Sequence, residues 1–315
     1  MTSSVPVAAV VGPTATGKTR LAVELALRFG GEVVSADSMQ IYRGLTVGTA
    51  KPTPEEMRGV PHHLVDFLDP SEPFSVADYV RLASRAVAGI RARGKLPLVV
   101  GGTGLYVSSL LGGLRFSPEG RDDALRGELR SRAEREGPQA LWEELNAFDP
   151  ESAARIHPNN VGRVIRAVEV YRTTGVTMSE QVRCSREAPP PYDAAVIGLT
   201  CRDRAKLYGA IDRRVDAMMR AGLPDEARRV FSMEHPGTAA QAIGYKEFFP
   251  YFRGECSLEE AVAAVKRESR RYAKRQLTWF RRVEGIQWLF TDECGGFEPL
   301  CSQACEIIRR KGWKL

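Results

Sequence analysis

The run Gly12-Pro13-Thr14-Ala15-Thr16-Gly17-Lys18-Thr19 has the spacing of a phosphate cradle. Its glycines let the backbone turn several N–H groups toward one anion. Lys18 adds a point charge, and the Thr19 hydroxyl can ligate a Mg²⁺ ion. An apolar run at residues 7–11 precedes the loop, and residues 21–29 read as the helix whose positive N-terminus completes the site. The chain is therefore expected to grip a diphosphate or triphosphate.

An acid is expected beside that cradle. Residues 32–36 form a short strand pattern that delivers Asp37 to the carboxyl edge of the sheet, where ligands of open α/β sheets sit. Asp37 is the first candidate for chemistry, although Asp37-Ser38-Met39-Gln40 can equally use it as an N-cap or turn aspartate. Common P-loop kinases and ATPases hold Mg²⁺ with a strand-end aspartate. Here the strand at 96–100 runs instead into Gly101-Gly102-Thr103-Gly104, which permits close backbone approach to a ligand and offers no carboxylate.

A third cluster is cationic. Residues 266–282 carry Lys266, Arg267, Arg270, Arg271, Lys274, Arg275, Arg281 and Arg282 against the single acid Glu268. At helical spacing Arg267, Arg271, Arg275 and Thr278 form a stripe, while Val262, Val265, Leu277 and Phe280 can face a core. Tyr272 and Trp279 add surface on which bases could stack, so this face suits a phosphate backbone. A weaker basic set, Arg155, Arg163, Arg166 and Arg172, surrounds His157-Pro158-Asn159-Asn160, with Asn159 or Asn160 as a helix N-cap. The adjacent His62 and His63 cannot share one helical face, which argues against zinc and for packing or hydrogen bonding near the pocket.

The elements that must position these groups follow from patterning. Short apolar runs at 7–11, 32–36 and 96–100 alternate with helical patterns, among them a crossover helix over residues 76–90 with Ser75 as N-cap and Gly94 as stop. Strand signals vanish over residues 115–192, read as a mostly helical insertion between a first core part at 1–114 and a second at 193–315. The second part is expected to hold a strand at 194–199, helices at 204–220, 225–233 and 258–283, a strand at 286–290 and a last helix. The fold class is thus α/β, a P-loop NTPase-like core with a parallel sheet flanked by helices. A chain of 315 residues with net charge +6 can bury a sizeable core and favours an anionic partner. No secretory pattern opens the chain and no run is long enough to span a membrane, so Cys184, Cys201, Cys256, Cys294, Cys301 and Cys305 are expected to be reduced thiols of a cytoplasmic protein.

The order of blocks resembles the bacterial tRNA dimethylallyltransferases, also called tRNA isopentenyltransferases, over nearly the whole chain. The resemblance rests on residues 12–19, Ser35-Ala36-Asp37-Ser38-Met39-Gln40-Ile41-Tyr42-Arg43, Gly48-Thr49-Ala50-Lys51-Pro52, residues 101–106, Gln241-Ala242-Ile243-Gly244-Tyr245-Lys246-Glu247 and residues 272–281. It implies transfer of a dimethylallyl group from its diphosphate to the N6 amine of the adenosine just 3′ of the tRNA anticodon. It further implies that residues 12–19 bind the diphosphate with Mg²⁺ on Thr19, that Asp37 is the base, that Thr103 holds the amine or Asp37, and that Arg213 or Arg214, with Arg214 the favoured one, adds a cation. On this reading Asp37, Ser38, Met39, Gln40, Thr103, Arg163, Arg166, Gln241, Gly244, Lys246, Arg271, Lys274 and Arg275 contact the anticodon stem-loop of the tRNA, with the insertion on the stem. The departures are Thr16 where serine is usual and Gly162 where glutamine is common. The chain runs to Leu315 without the zinc finger of eukaryotic relatives, which favours the bacterial form; nothing in the sequence demands a partner chain, so a monomer is expected. The rival readings, a P-loop kinase of a nucleotide or small metabolite and an RNA-binding ATPase, both want the strand-end carboxylate that is not found after Val100.

Overall fold

The computed structural model describes residues 4–114, 122–187, 189–235 and 237–314. Two compact units emerge, Met1–Leu111 joined with Pro191–Leu315, and Gly112–Pro190. The expected start of the insertion at residue 115 and the end of the chain at Leu315 lie outside the described residues.

In chain order the first unit begins β1 (Val5–Val11), α1 (Lys18–Phe29), β2 (Gly31–Ser35), α2 (Pro54–Met57), β3 (His62–His63), α3 (Val76–Ala92), β4 (Leu96–Gly101) and α4 (Gly104–Leu111). The second unit is α5 (Asp123–Glu136), α6 (Pro138–Phe148), α7 (Pro150–Arg155), α8 (Val161–Thr174) and α9 (Met178–Glu187), helices joined by short turns with no strand among its described residues. The chain then returns to the first unit with β5 (Tyr192–Thr200), α10 (Arg204–Arg220), α11 (Leu223–Phe231), α12 (Phe249–Phe252), α13 (Leu258–Phe280), β6 (Gln287–Phe290) and α14 (Phe297–Arg309).

The six strands form one parallel sheet in the order β3-β2-β4-β1-β5-β6, as the alternating pattern predicts. Alternation of side chains sorts β1 onto two cores. Ala8 and Val10 pack with Leu21 and Leu25 of α1 and Ala304 and Ile308 of α14. Val7, Ala9 and Val11 pack with Tyr79, Ala83, Val87 and Ile90 of α3 and with Phe280 of α13. Each fully buried Leu, Ile or Val contributes about 1.5–3 kcal/mol to holding those helices on the sheet. At the start of α3, Ser75 Oγ accepts the Asp78 N–H while the Asp78 carboxylate accepts the Ser75 N–H, a capping box at the predicted boundary.

Several helix boundaries differ from expectation: α1 starts at Lys18 and not at residue 21, α3 runs to Ala92 and not residue 90, and α11 ends at Phe231 and not residue 233. α11 starts at Leu223, not at residue 225, because Gly222 takes a left-handed conformation (φ 92°) and Pro224 is tolerated in a first turn. α13 stops at Phe280, not at residue 283, where the chain turns toward β6. His62 and His63 form the edge strand; His63 Nε2 pairs with Glu32 Oε2 at 2.7 Å, toward the amino end of β2 and away from the carboxyl edge expected for the pocket. The six cysteines are free thiols.

Candidate active site

The carboxyl ends of β1, β2 and β4 meet at one edge of the sheet, and the loop after β1 is shaped before any ligand arrives. Gly12 has φ 137°, and a Cβ there would sit 2.2 Å from the Leu199 carbonyl oxygen, so only glycine fits. Gly17 is the left-handed N-cap of α1 (φ 81°) and offers no side-chain acceptor. The first N–H groups of α1 are thereby left without a side-chain cap, as an anion site requires. Thr16 Oγ1 donates to Pro13 O at 2.9 Å and closes the loop, so the threonine at this position does what the smaller serine hydroxyl could. Lys18 Nζ donates to the same carbonyl at 2.6 Å.

Charge is left uncompensated around this loop. Burial, then the neighbouring Arg214, lower the Lys18 pKa to about 7 against the opposing pull of Asp37. Arg214 of α10 is likewise lowered by burial and raised by Asp37 and Glu56. Arg213 is exposed, so Arg214 is the arginine that shares the field of Lys18 and Asp37. Neither cation has an ion-pair partner within 4 Å among the described residues, and a bound anion would relieve both shifts. Lys18, Arg214 and Asp37 therefore lie within electrostatic reach of one another.

Asp37 follows β2 and serves its own turn with one oxygen: Oδ1 accepts the N–H groups of Met39 (2.8 Å) and Gln40 (3.3 Å). Its Oδ2 has no hydrogen bond among the described residues, so the turn occupies only one of the two carboxylate oxygens. Thr103 does not bond Asp37 directly. Its Oγ1 accepts the Ser38 N–H at 3.1 Å and its own N–H donates to Ala36 O at 3.1 Å, which fastens the Asp37 turn to the loop after β4. A Cβ on Gly101 would lie 2.1 Å from Ala36 O, so the two strand ends touch only because that residue is glycine.

Two further residues enter from α13. Gln276, buried at 6% exposure, accepts the Thr14 N–H through Oε1 (3.0 Å) and donates Nε2 to Gly102 O (3.0 Å), bridging the phosphate loop to the loop after β4. Sequence reasoning assigned Gln276 no role; the available signal was an amide on the core-facing side of α13, between the buried Ala273 and Phe280. Tyr272, expected only as stacking surface, has its phenol pushed up to about 12 by burial and by the charge of Asp37, with Thr103, Arg275 and Gln276 pulling the other way.

The remaining candidates separate by environment. Gln40 is half-buried, with Nε2 donating to Thr49 O (3.3 Å) and Ala50 O (3.1 Å). Gln241 and Lys246 are exposed, whereas Gly244 is buried and its N–H donates to Glu247 Oε2 at 2.8 Å. Arg271, Lys274, Arg275, Thr278, Trp279 and Arg282 line an open depression of about 380 Å³ on the outer face of α13. Arg271 pairs with Glu268 at 2.7 Å, while Lys274 and Arg275 make no ion pair among the described residues. The helix is less bare than its own sequence implies, because α10 supplies Asp216 to Lys266 (2.5 Å) and Asp212 to Arg270 (2.7 Å). In the helical unit Arg163 is exposed, and Arg166 pairs at 2.8 Å with Glu169, which Arg126 also binds. Among the described residues, no group of three or more His, Cys, Asp or Glu could hold a metal, and no helix is long and apolar enough to cross a membrane.

The chain is similar to known proteins along nearly its whole length. Residues 40–283 match the family described as IPP transferase, and residues 5–66 the one described as Isopentenyl transferase. The tRNA dimethylallyltransferase of Geobacillus thermodenitrificans is 52% identical over 308 residues, covering 97% of this chain and 96% of that protein. The crystal structure of the tRNA isopentenylpyrophosphate transferase of Bacillus halodurans is 46% identical, covers 98% of this chain and 95% of its own, and superposes with a TM-score of 0.71. A eukaryotic dimethylallyltransferase captured acting on tRNA is 29% identical, covers 96% of this chain and 78% of its own, and superposes with a TM-score of 0.83. With these matches along its length, the chain belongs to the tRNA dimethylallyltransferase family.

Proposed function

We propose that the chain transfers a dimethylallyl group from dimethylallyl diphosphate to the N6 amine of the tRNA adenosine 3′ to the anticodon. The observation that carries the reading is the mutual field of Lys18, Arg214 and Asp37 at the mouth of the phosphate loop. The new N6–C1 bond forms as the C1–O bond breaks, and the electron pair leaves on the diphosphate. Lys18, Arg214 and the N–H groups of the loop stabilise that growing negative charge. The N6 proton, acidic only once the C–N bond is forming, passes to Asp37 Oδ2. Thr103 and Gln276 hold the two loops that carry the diphosphate and the acid.

Magnesium fits as a metal shared with the substrate, since Mg²⁺ binds readily through substrate phosphates with few protein ligands and no all-protein cluster is present among the described residues. Thr19 would hold it beside the diphosphate, where it supplies further neutralisation of the leaving group. The target adenine must leave its stack to reach the site. Gln40, Ser38, Met39 and the block from Gln241 through Gly244 to Lys246 would line its path. Arg271, Lys274 and Arg275, with Arg163 and Arg166 of the helical unit, would bind anticodon-stem phosphates. The reading implies a cytoplasmic monomer. The test is incubation with labelled dimethylallyl diphosphate and unmodified tRNA, and separately with ATP: label should enter the RNA, and ATP consumption without such labelling would reverse the assignment.

A further inference from the structure

Glu226 of α11 lies far from the phosphate loop in sequence, is 2% exposed, and receives four hydrogen bonds. Its Oε2 accepts the N–H groups of Thr46 (2.8 Å) and Val47 (3.0 Å), and its Oε1 accepts the Gly48 N–H (2.7 Å) and the Tyr245 hydroxyl (2.8 Å). A carboxylate collecting three consecutive N–H groups fixes the backbone that carries them. Tyr245 adds a steric wall: a Cβ on Gly48 would fall 2.5 Å from its ring. The blocks at residues 48–52 and 241–247 thus meet by direct packing of Gly48 on Tyr245 and through the shared carboxylate of Glu226.

The fixed loop has a further contact. Its next carbonyls, Thr49 O and Ala50 O, both accept from Gln40 Nε2. Ala50 is held at φ 46°, a left-handed conformation that costs about 1 kcal/mol or more for a residue with a Cβ and so needs outside support. Two carbonyl acceptors on one side dictate which end of the Gln40 amide is NH₂, and its Oε1 then takes the other side, where the Ser35 hydroxyl donates to it at 3.3 Å. Gln40 sits three residues from Asp37, and its N–H donates to the Asp37 carboxylate.

We propose that Glu226 is a positioning residue for RNA recognition: by clamping residues 46–48 it sets the carbonyls that orient the Gln40 amide beside the acceptor site. The proposal rests on the transfer reading above. In Glu226→Gln one oxygen becomes an NH₂ that faces N–H donors, so the clamp opens while the volume is kept. With whole enzyme, dimethylallyl diphosphate and an unmodified anticodon stem-loop, Glu226→Gln should raise KM for the RNA about tenfold, with KM for the diphosphate substrate within about twofold of the parent. Tyr245→Phe, which removes one of the four bonds and should fold, is expected to move the same parameter less. The deciding measurement is a double-mutant cycle: Gln40→Ala combined with Glu226→Gln, or with Tyr245→Phe should the first not fold, must cost no more in kcat/KM for RNA than Gln40→Ala alone. Additive losses, an unchanged KM for RNA, or equal damage to both substrates would overturn the proposal. Parent enzyme that transfers no label would instead overturn the transfer reading.

Discussion

The two ends of β2 treat buried charge in opposite ways. At the amino end, Glu32 is 3% exposed and saturated: Arg93 donates through Nε and Nη2, Lys95 lies at 2.9 Å and His63 at 2.7 Å. Burial alone would raise its pKa, but the hydrogen bonds from Arg93, His63 and Lys95 outweigh that and bring it to about 2. At the carboxyl end, Lys18 and Arg214 press on each other with only Asp37 and Glu56 in partial compensation. The first cluster fastens the sheet and has nothing left to bind. The second stores electrostatic work that an incoming diphosphate can release.

Removing a charge should therefore cost turnover at one end and stability at the other. Lys18→Ala has the largest expected effect, about a thousandfold loss in kcat/KM for dimethylallyl diphosphate in steady-state assays, with RNA affinity by filter binding nearly intact. Asp37→Ala should lower kcat about a hundredfold while leaving binding of both substrates in place; full turnover would move the base elsewhere. Glu32→Gln should instead cost about 2 kcal/mol in denaturant melts and leave kcat unchanged, with partners half exposed to water moderating the loss. Because the folded pKa of Glu32 is depressed, its contribution is complete above the unfolded value of about 4.5 and is lost as pH falls toward about 2.

A smaller effect sharpens the same contrast. Burial and Arg214 bring the Lys18 pKa down to about 7, and a bound diphosphate favours the charged form, so binding above that pH is expected to take up a proton. Diphosphate affinity, measured calorimetrically in buffers of different ionisation enthalpy, should fall by up to about tenfold per pH unit above about 7, and a pH-independent affinity would remove Lys18 from the anion site. The paired and unpaired cations of α13 offer the mildest test. Lys274→Ala should reduce the slope of log affinity against log salt for the anticodon stem-loop by about 0.7–0.9, whereas Lys266→Ala, already neutralised by Asp216, should leave it unchanged.

What could be read from the sequence was local. The phosphate loop, the Asp37 turn and the Ser75 N-cap of α3 each depend on residues within a few positions of one another, so spacing determines them. The parallel sheet was legible because its buried strands read as apolar runs between helical patterns. The bridges were not legible. Gln276 reaches Thr14 across 262 positions, and Asp212 and Asp216 neutralise α13 from another helix, so no window of sequence contains both partners. A run that looks like an uncompensated basic face is, in the fold, half structural.

Gln276 sits one residue after Arg275, on a single unbroken helix of 23 residues. Such a rod transmits displacement with little give, since each residue is locked to its neighbours by the backbone ladder. Arg275 points to solvent, while the two hydrogen bonds of the inner amide brace the Thr14 and Gly102 backbones. One helix thus turns an exposed basic face outward and a bracing amide inward, so the wall of the anion pocket and the cationic surface share a single backbone.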